Sequence, residues 1–433
     1  MRKFLLATAS VAVLGLTAGA AHAARFAESD PSKDSTAFSA PQAKPAPGKI
    51  IVRVGGNVWS EFGVGSSTLD KAKGNSGKLQ PYGMTGGMRV YFGVDGQLTN
   101  GILYGANYEV RTNSGIVGGA SANTTANTLY ARRAYVYIGA DSWGLFRLGQ
   151  GDGPTSLFNG NTTGEFFSTG AWDGDVPGLF GNAALAWAFP VVGNEYASEK
   201  ITYVSPSFNG FQVGLSFAPS NAAQTGGVGG SAFLGVVDRG AASAVASDWA
   251  RPRNTFEVAA RYSGNLGPVG TYLMAGYTGS GTIDNNTGAG AKYWGLSVFD
   301  AGMAFNYMGI QPFAHLTTGK MNGAHVPQQK LAGRKKDGLA WVAGLAYGNG
   351  PYTVGASWYS FDSQGSAAGT GNRQEYGLAI GGDYTVTNGL DFYLEYLYGV
   401  RKQAGFNFET GAAGAAVNKT TASGAMATMQ VRW

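Results

Sequence analysis

From Lys49 onward, apolar residues recur at every second position in runs of about ten, and no window of helical length sustains a 3.6-residue period. Met88, Val90, Phe92 and Val94 make one run, and Ile102, Tyr104, Ala106, Tyr108 and Val110 a second. Phe211, Val213, Leu215 and Phe217 make a third, and Phe256, Val258, Ala260 and Tyr262 a fourth. Gly, Asn, Gln, Ser, Glu and Arg fill the positions between them. Alternation of this kind places one strand face in an apolar medium and the other in a polar one. A soluble sandwich alternates in the same way, so the connections must separate the two.

Sixteen strand-like runs lie between Ile50 and Trp433, and the segments joining them alternate strictly between short and long. Seven are short: 96–101, 141–143, 205–209, 265–267, 309–311, 349–350 and 387–389. Eight are long, centred on 65–81, 113–127, 151–196, 219–253, 279–291, 318–337, 362–372 and 403–421. Even strand number, tight turns at one end and long loops at the other predict an all-β fold, a transmembrane antiparallel β-barrel. Closure would pair every backbone N–H and C=O between strands, the one way a sheet can cross lipid. Trp143, Phe146, Tyr347, Tyr352, Trp358, Tyr359, Tyr396 and Tyr398 fall near run ends, where interfacial girdles belong.

Composition sharpens the picture. Charged residues are 13% of the 433, against about 25% in soluble domains, and there are 70 glycines with no collagen-like period. Residues 1–23 read as a cleaved export signal: Arg2 and Lys3, an apolar stretch from Phe4 to Leu16, and Ala21-His22-Ala23 as the small-residue site. Residues 24–48, rich in Ala, Ser, Pro and charge, read as a disordered arm, leaving 49–433 for the barrel. Losing Arg2 and Lys3 removes two of the five net positive charges, and no Lys/Arg cluster with interleaved aromatics argues for nucleic acid. Absence of cysteine excludes disulfides, thiolate metal sites and thiol nucleophiles.

Three stretches resemble the general trimeric porins of Gram-negative bacteria: ARRAYVYIGADSWGLFRLGQGD (131–152), EKITYVSPSFNGFQVGLSFAPS (199–220) and the terminal MATMQVRW. The resemblance in layout covers Lys49 to Trp433. It implies a homotrimer in the outer membrane, in contact with lipid and lipopolysaccharide, that passes ions and small hydrophilic solutes by passive diffusion. It also implies that the third external loop, 151–196, folds into the barrel and narrows it. Ala425, Ala427, Met429, Val431 and Trp433 alternate to the last residue, and an aromatic end resembles the signal read by the barrel assembly machinery; porins usually end in Phe.

Candidate chemistry is electrostatic. By parity, Arg53, Arg89, Arg111, Arg133, Arg147 and Lys200 face the lumen from six consecutive strands, since a lipid-facing Arg or Lys near the midplane costs about 2–4 kcal/mol. Carried over by position, Glu165, Asp173 and Asp175 of the long third loop would face that basic wall, although GEFFSTGAWDGD stands in place of the family's acidic-Gly-Gly-Asp segment. Opposed charges across a water-filled constriction set a transverse field that filters solutes. The simpler reading pairs each arginine with a neighbour such as Glu61 or Glu109.

No cofactor is indicated. Asp173 and Asp175 could hold calcium, but their spacing fits no twelve-residue EF-hand loop. GGVGG (226–230) and GQGDG (149–153) lack the helix that phosphate binding needs and read as loop glycines. A hydrolase would have to use His315 or His325, neither of which lies in a nucleophile motif. The alternatives are a sugar- or anion-selective channel, whose pore would carry a ladder of aromatics, and a non-conducting barrel serving as envelope anchor or adhesin.

Overall fold

The alternating runs form strands that close on themselves. The computed structural model describes residues 44–70, 80–112, 129–160, 162–164, 167, 170–174, 176–190, 198–220, 253–284, 292–323 and 327–433. In chain order the barrel strands are β1 (Ile50–Ser67), β2 (Tyr82–Gln97), β3 (Leu103–Thr112), β4 (Leu129–Ala140), β5 (Gly144–Gly151), β6 (Ser198–Val204), β7 (Phe211–Ser220) and β8 (Arg253–Leu266). They continue as β9 (Val269–Gly279), β10 (Ser297–Asn306), β11 (Ile310–Lys320), β12 (Gly338–Asn349), β13 (Tyr352–Ser363), β14 (Arg373–Thr387), β15 (Leu390–Gln403) and β16 (Lys419–Arg432). Each pairs antiparallel with its sequence neighbours, and β16 returns to β1 to close a sixteen-stranded barrel. The outward face is apolar around the circumference, with Val52, Phe92, Val136, Leu215, Phe299 and Leu394 all exposed. Unpaired apolar surface on that scale belongs against lipid.

The short connections fall where expected, shifted by up to two residues. A left-handed glycine serves each of them; Gly267 (φ 62°) and Gly350 (φ 58°) lead into Pro268 and Pro351 in two-residue hairpins that a side chain at the glycine would strain. Residues 44–48 lie at this same end. Gly48 N donates to Gln97 O at 2.7 Å, and Lys44 pairs with Asp141 at 2.5 Å. At closure, Trp433 exchanges backbone hydrogen bonds with Gly56 at 3.1 and 3.2 Å. A Cβ at Gly56 would stand 2.7 Å from the Trp433 indole, so the terminal ring needs that glycine as its seat.

At the other end the long loops are knitted together. Residues 292–294 pair with 330–332, Arg334 donates to Ala367 O at 2.9 Å, and Gln403 donates to Ser366 O at 2.8 Å. One girdle assignment is corrected: Tyr359 faces inward and is fully buried, because β13 places its odd-numbered side chains in the lumen. Trp143, Phe146, Tyr347, Tyr352, Trp358, Tyr396 and Tyr398 are exposed on the outer face. The apolar core therefore sits inside the barrel, where the third long loop packs Phe158, Phe167, Trp172, Trp187 and Phe189 against one wall.

Candidate functional site

The loop after β5 starts with a short helix, α1 (Pro154–Leu157), opened by proline at its first turn. Its first N–H is met by Glu257 of β8, whose carboxylate accepts from Thr155 N at 3.1 Å and Thr155 Oγ1 at 2.5 Å. Lys200 of β6 stands 3.9 Å from the same carboxylate. From there the loop follows the wall through β9, β11, β14 and β15 to β16 and β1. Tyr272 Oη donates to Phe158 O at 2.8 Å, Phe167 meets Phe313 at 6.0 Å between centroids, and Trp172 covers Gly377 and Gly399. Leu179 covers Gly63, and Phe180 covers Gly424. On the return, Ala186 N donates to Glu375 at 2.8 Å and Tyr359 Oη donates to Ala186 O at 2.6 Å.

Glycines of the inward face give the loop its room. A Cβ at Gly276 would stand 2.7 Å from Thr155, at Gly302 2.6 Å from Thr162, and at Gly355 2.6 Å from Phe167. Part of the glycine content of the barrel wall is thus a groove for its own third loop.

The strip from β1 to β6 carries the cations. Parity places Arg53, Arg89, Arg111, Arg133, Arg147 and Lys200 on the lumen side of β1, β2, β3, β4, β5 and β6, respectively. Glu109 accepts from Arg111 and Arg133 and lies 3.8 Å from Arg132. Asp152, at the root of the loop, pairs with Arg133, while Arg147 donates to the Asp152 carbonyl and lies 4.2 Å over the Tyr135 ring. Arg53 pairs with Asp95 at 2.5 Å and donates to Asn107 at 3.1 Å. The pairing alternative holds for Glu109; Glu61 accepts from Thr428 Oγ1 at 3.1 Å.

Burial sorts these groups. Arg133, Arg147 and Lys200 are 1%, 2% and 5% exposed and belong to the packed side of the lumen. In four pairs the carboxylate lies beneath its arginine. Asp95, Glu109, Glu375 and Asp391 are 0–1% exposed, whereas their partners Arg53, Arg111, Arg401 and Arg432 keep 14–20% of their side-chain surface open. In each pair the arginine side chain, and not the carboxylate, keeps surface open.

Of the loop carboxylates, Glu165 and Asp175 lie outside the described residues, as do His325 and 226–230. Asp173 closes a 3-10 turn, Ala171–Asp173, and its side chain is likewise outside the description. The calcium expectation therefore falls outside the described residues too; among those described, no group of three or more His, Cys, Asp or Glu gathers as a metal site.

Sequence reasoning missed Arg132 and Asp152. The β3–β4 register shifts between Glu109↔Arg133 and Val110↔Ala131, leaving Arg132 as the extra residue of a bulge and placing both arginines near Glu109. The Arg-Arg doublet was the available signal, because strict alternation would have sent one of the two into lipid. Asp152 is buried, which alone would raise its pKa; the guanidiniums of Arg133, Arg132 and Arg147 outweigh this and hold it below the ordinary carboxylate range.

His315 faces inward on β11 beneath the loop. Thr162 Oγ1 lies 2.8 Å from its Nδ1, and Asp300 lies 3.6 Å from its Nε2. The order hydroxyl, imidazole, carboxylate resembles a nucleophilic triad, yet all three residues are at most 2% exposed. They fasten the loop to the wall.

The sequence pattern of the Gram-negative porins matches residues 7–404. Among solved structures, the chain is similar to OmpF of Salmonella typhi in complex with daunomycin (11% identity, 88% of this chain and 97% of that one, TM-score 0.57). It is similar to the anion-selective porin of Comamonas acidovorans (15%, 89% and 100%, 0.55). It is also similar to the outer-membrane channel DcaP of Acinetobacter baumannii (12%, 89% and 97%, 0.55). No curated protein matches the chain.

Proposed function

The chain belongs to the Gram-negative porins and is an outer-membrane channel for small solutes; from that premise we propose that passage is passive and anion-preferring. The observation that carries the reading is the layering of charge. Buried carboxylates hold arginines whose side chains keep the open surface, so a passing ion is closer to the cation of each pair. In this reading Arg53, Arg89 and Arg111 line the open strip. Arg132, Arg133 and Arg147 with Glu109 and Asp152 form its base, and Lys200 with Glu257 anchors the constricting loop.

The functional unit is a homotrimer, exported with loss of residues 1–23 and assembled through the aromatic end at Trp433. Conduction rather than covalent chemistry is the activity, a reading supported by the burial of the Thr162–His315–Asp300 row away from any substrate. Single-channel recording of the full-length protein, with polymers of graded size added, tests the proposal. Stepwise ohmic openings in threes that small polymers reduce and large ones do not are expected; a folded but insulating barrel would overturn it.

A further inference from the structure

The open strip is aromatic as well as basic. Asn57, Arg89 and Arg111 stand in one inward row across β1, β2 and β3, fixed by the register of the three strands. Trp59 occupies the row on one side of it, and Gly55, Tyr91 and Glu109 the row on the other. Successive rows on one face are about 6.6–6.8 Å apart. The Arg89 guanidinium lies over the Trp59 ring, 5.3 Å from its centroid. Trp59, Arg89, Tyr91 and Arg111 are all half-buried, so each keeps part of its surface open.

We propose that this strip is a weak, passing site for flat aromatic carboxylates; the proposal rests on the anion-channel reading and names its preferred solute class. A guanidinium has two ways to hold such a solute, its N–H fork for the carboxylate and its planar face for the ring. Arg111 and Arg89 supply the fork. Trp59 and Arg89 already form a cation–π pair that a further ring can extend, and Tyr91 offers a second aromatic one row away. A small aliphatic acid uses only the fork. A saturated ring of equal size brings apolar area but no π face, so it separates stacking from simple hydrophobic contact.

The experiment is block of chloride current through the full-length protein by benzoate, cyclohexanecarboxylate and acetate. Benzoate is expected to reach half-block at a concentration about fivefold below cyclohexanecarboxylate, with acetate weakest. Trp59→Leu should abolish the benzoate preference and Trp59→Phe should keep part of it. Equal block by the two ring acids, or a preference that survives Trp59→Leu, overturns the proposal. If the leucine variant does not fold, the three-acid comparison on the unaltered protein decides alone. The zero-current potential in a potassium chloride gradient separates the two levels: anion selectivity without benzoate preference overturns only the aromatic site, whereas cation selectivity or no current overturns the reading beneath it.

Discussion

Adding one methyl group at Gly377 should loosen the third long loop inside the barrel. Gly377 and Gly399 are direct cross-strand partners on β14 and β15, and together they make the flat seat on which the Trp172 indole lies. A Cβ at Gly377 would stand 2.3 Å from Trp172 Cζ2 and 2.5 Å from the carbonyl oxygen of Tyr398. Neither neighbour can retreat cheaply, because the indole is rigid and 1% exposed and the carbonyl belongs to the ladder. Overpacking of this kind costs about 1–3 kcal/mol, and removing the indole with Trp172→Ala costs about 3–5 kcal/mol. At about 1.4 kcal/mol per tenfold, Gly377→Ala should shift the ratio of docked to undocked loop by about five- to 150-fold. Single-channel recording reads this as new wide-state dwells and a larger polymer cutoff. Because part of the harm comes from striking the indole, the double variant should be less disturbed than the two single costs added together. A silent Gly377→Ala, or strict additivity, would refute the placement of Trp172.

Further outcomes follow from other contacts. Glu257→Ala removes the acceptor at the start of α1 and leaves Lys200 buried without that carboxylate, so loop flicker should rise and thermal stability in detergent fall by about 3–5 kcal/mol; unchanged melting and quiet traces would contradict it. Asp152 has a depressed pKa, so its tie to Arg133 is complete above the ordinary carboxylate range and is lost only as pH falls through the lower folded value. Asp152→Asn should therefore raise anion preference at neutral pH and mimic the most acidic behaviour of the unaltered protein, read from zero-current potentials across pH. Shortening the chain by Trp433 should slow barrel assembly in folding assays while leaving the unit conductance of assembled channels unchanged.

The barrel was legible because period-two alternation and the short–long rhythm of its connections are local signals, and each strand repeats them. Parity likewise sent all six cations to the lumen. It did not reveal which of them are open, since Arg133 and Arg147 are covered by Asp152 at the root of the third loop and Lys200 stands beside Glu257 of strand β8. Arg132 escaped because a bulge breaks the parity on which the inference depends. Tyr359 was misplaced for a different reason: aromatic character near a strand end does not say which face the ring occupies, and here it holds Ala186 of the inserted loop. Glu257 and Glu375 lie at positions that the same parity test assigns to the lumen. Their partners, Thr155 and Ala186, are more than 100 residues away, and no local pattern announces them.

The most direct test of the account is the zero-current potential of the full-length protein in a planar bilayer under a potassium chloride gradient, repeated with Arg53, Arg89 and Arg111 each changed to glutamine. Guanidiniums lying over buried carboxylates predict an anion-selective potential that moves toward zero as these arginines are neutralised. A cation-selective potential, or one unmoved by the three substitutions, would contradict it.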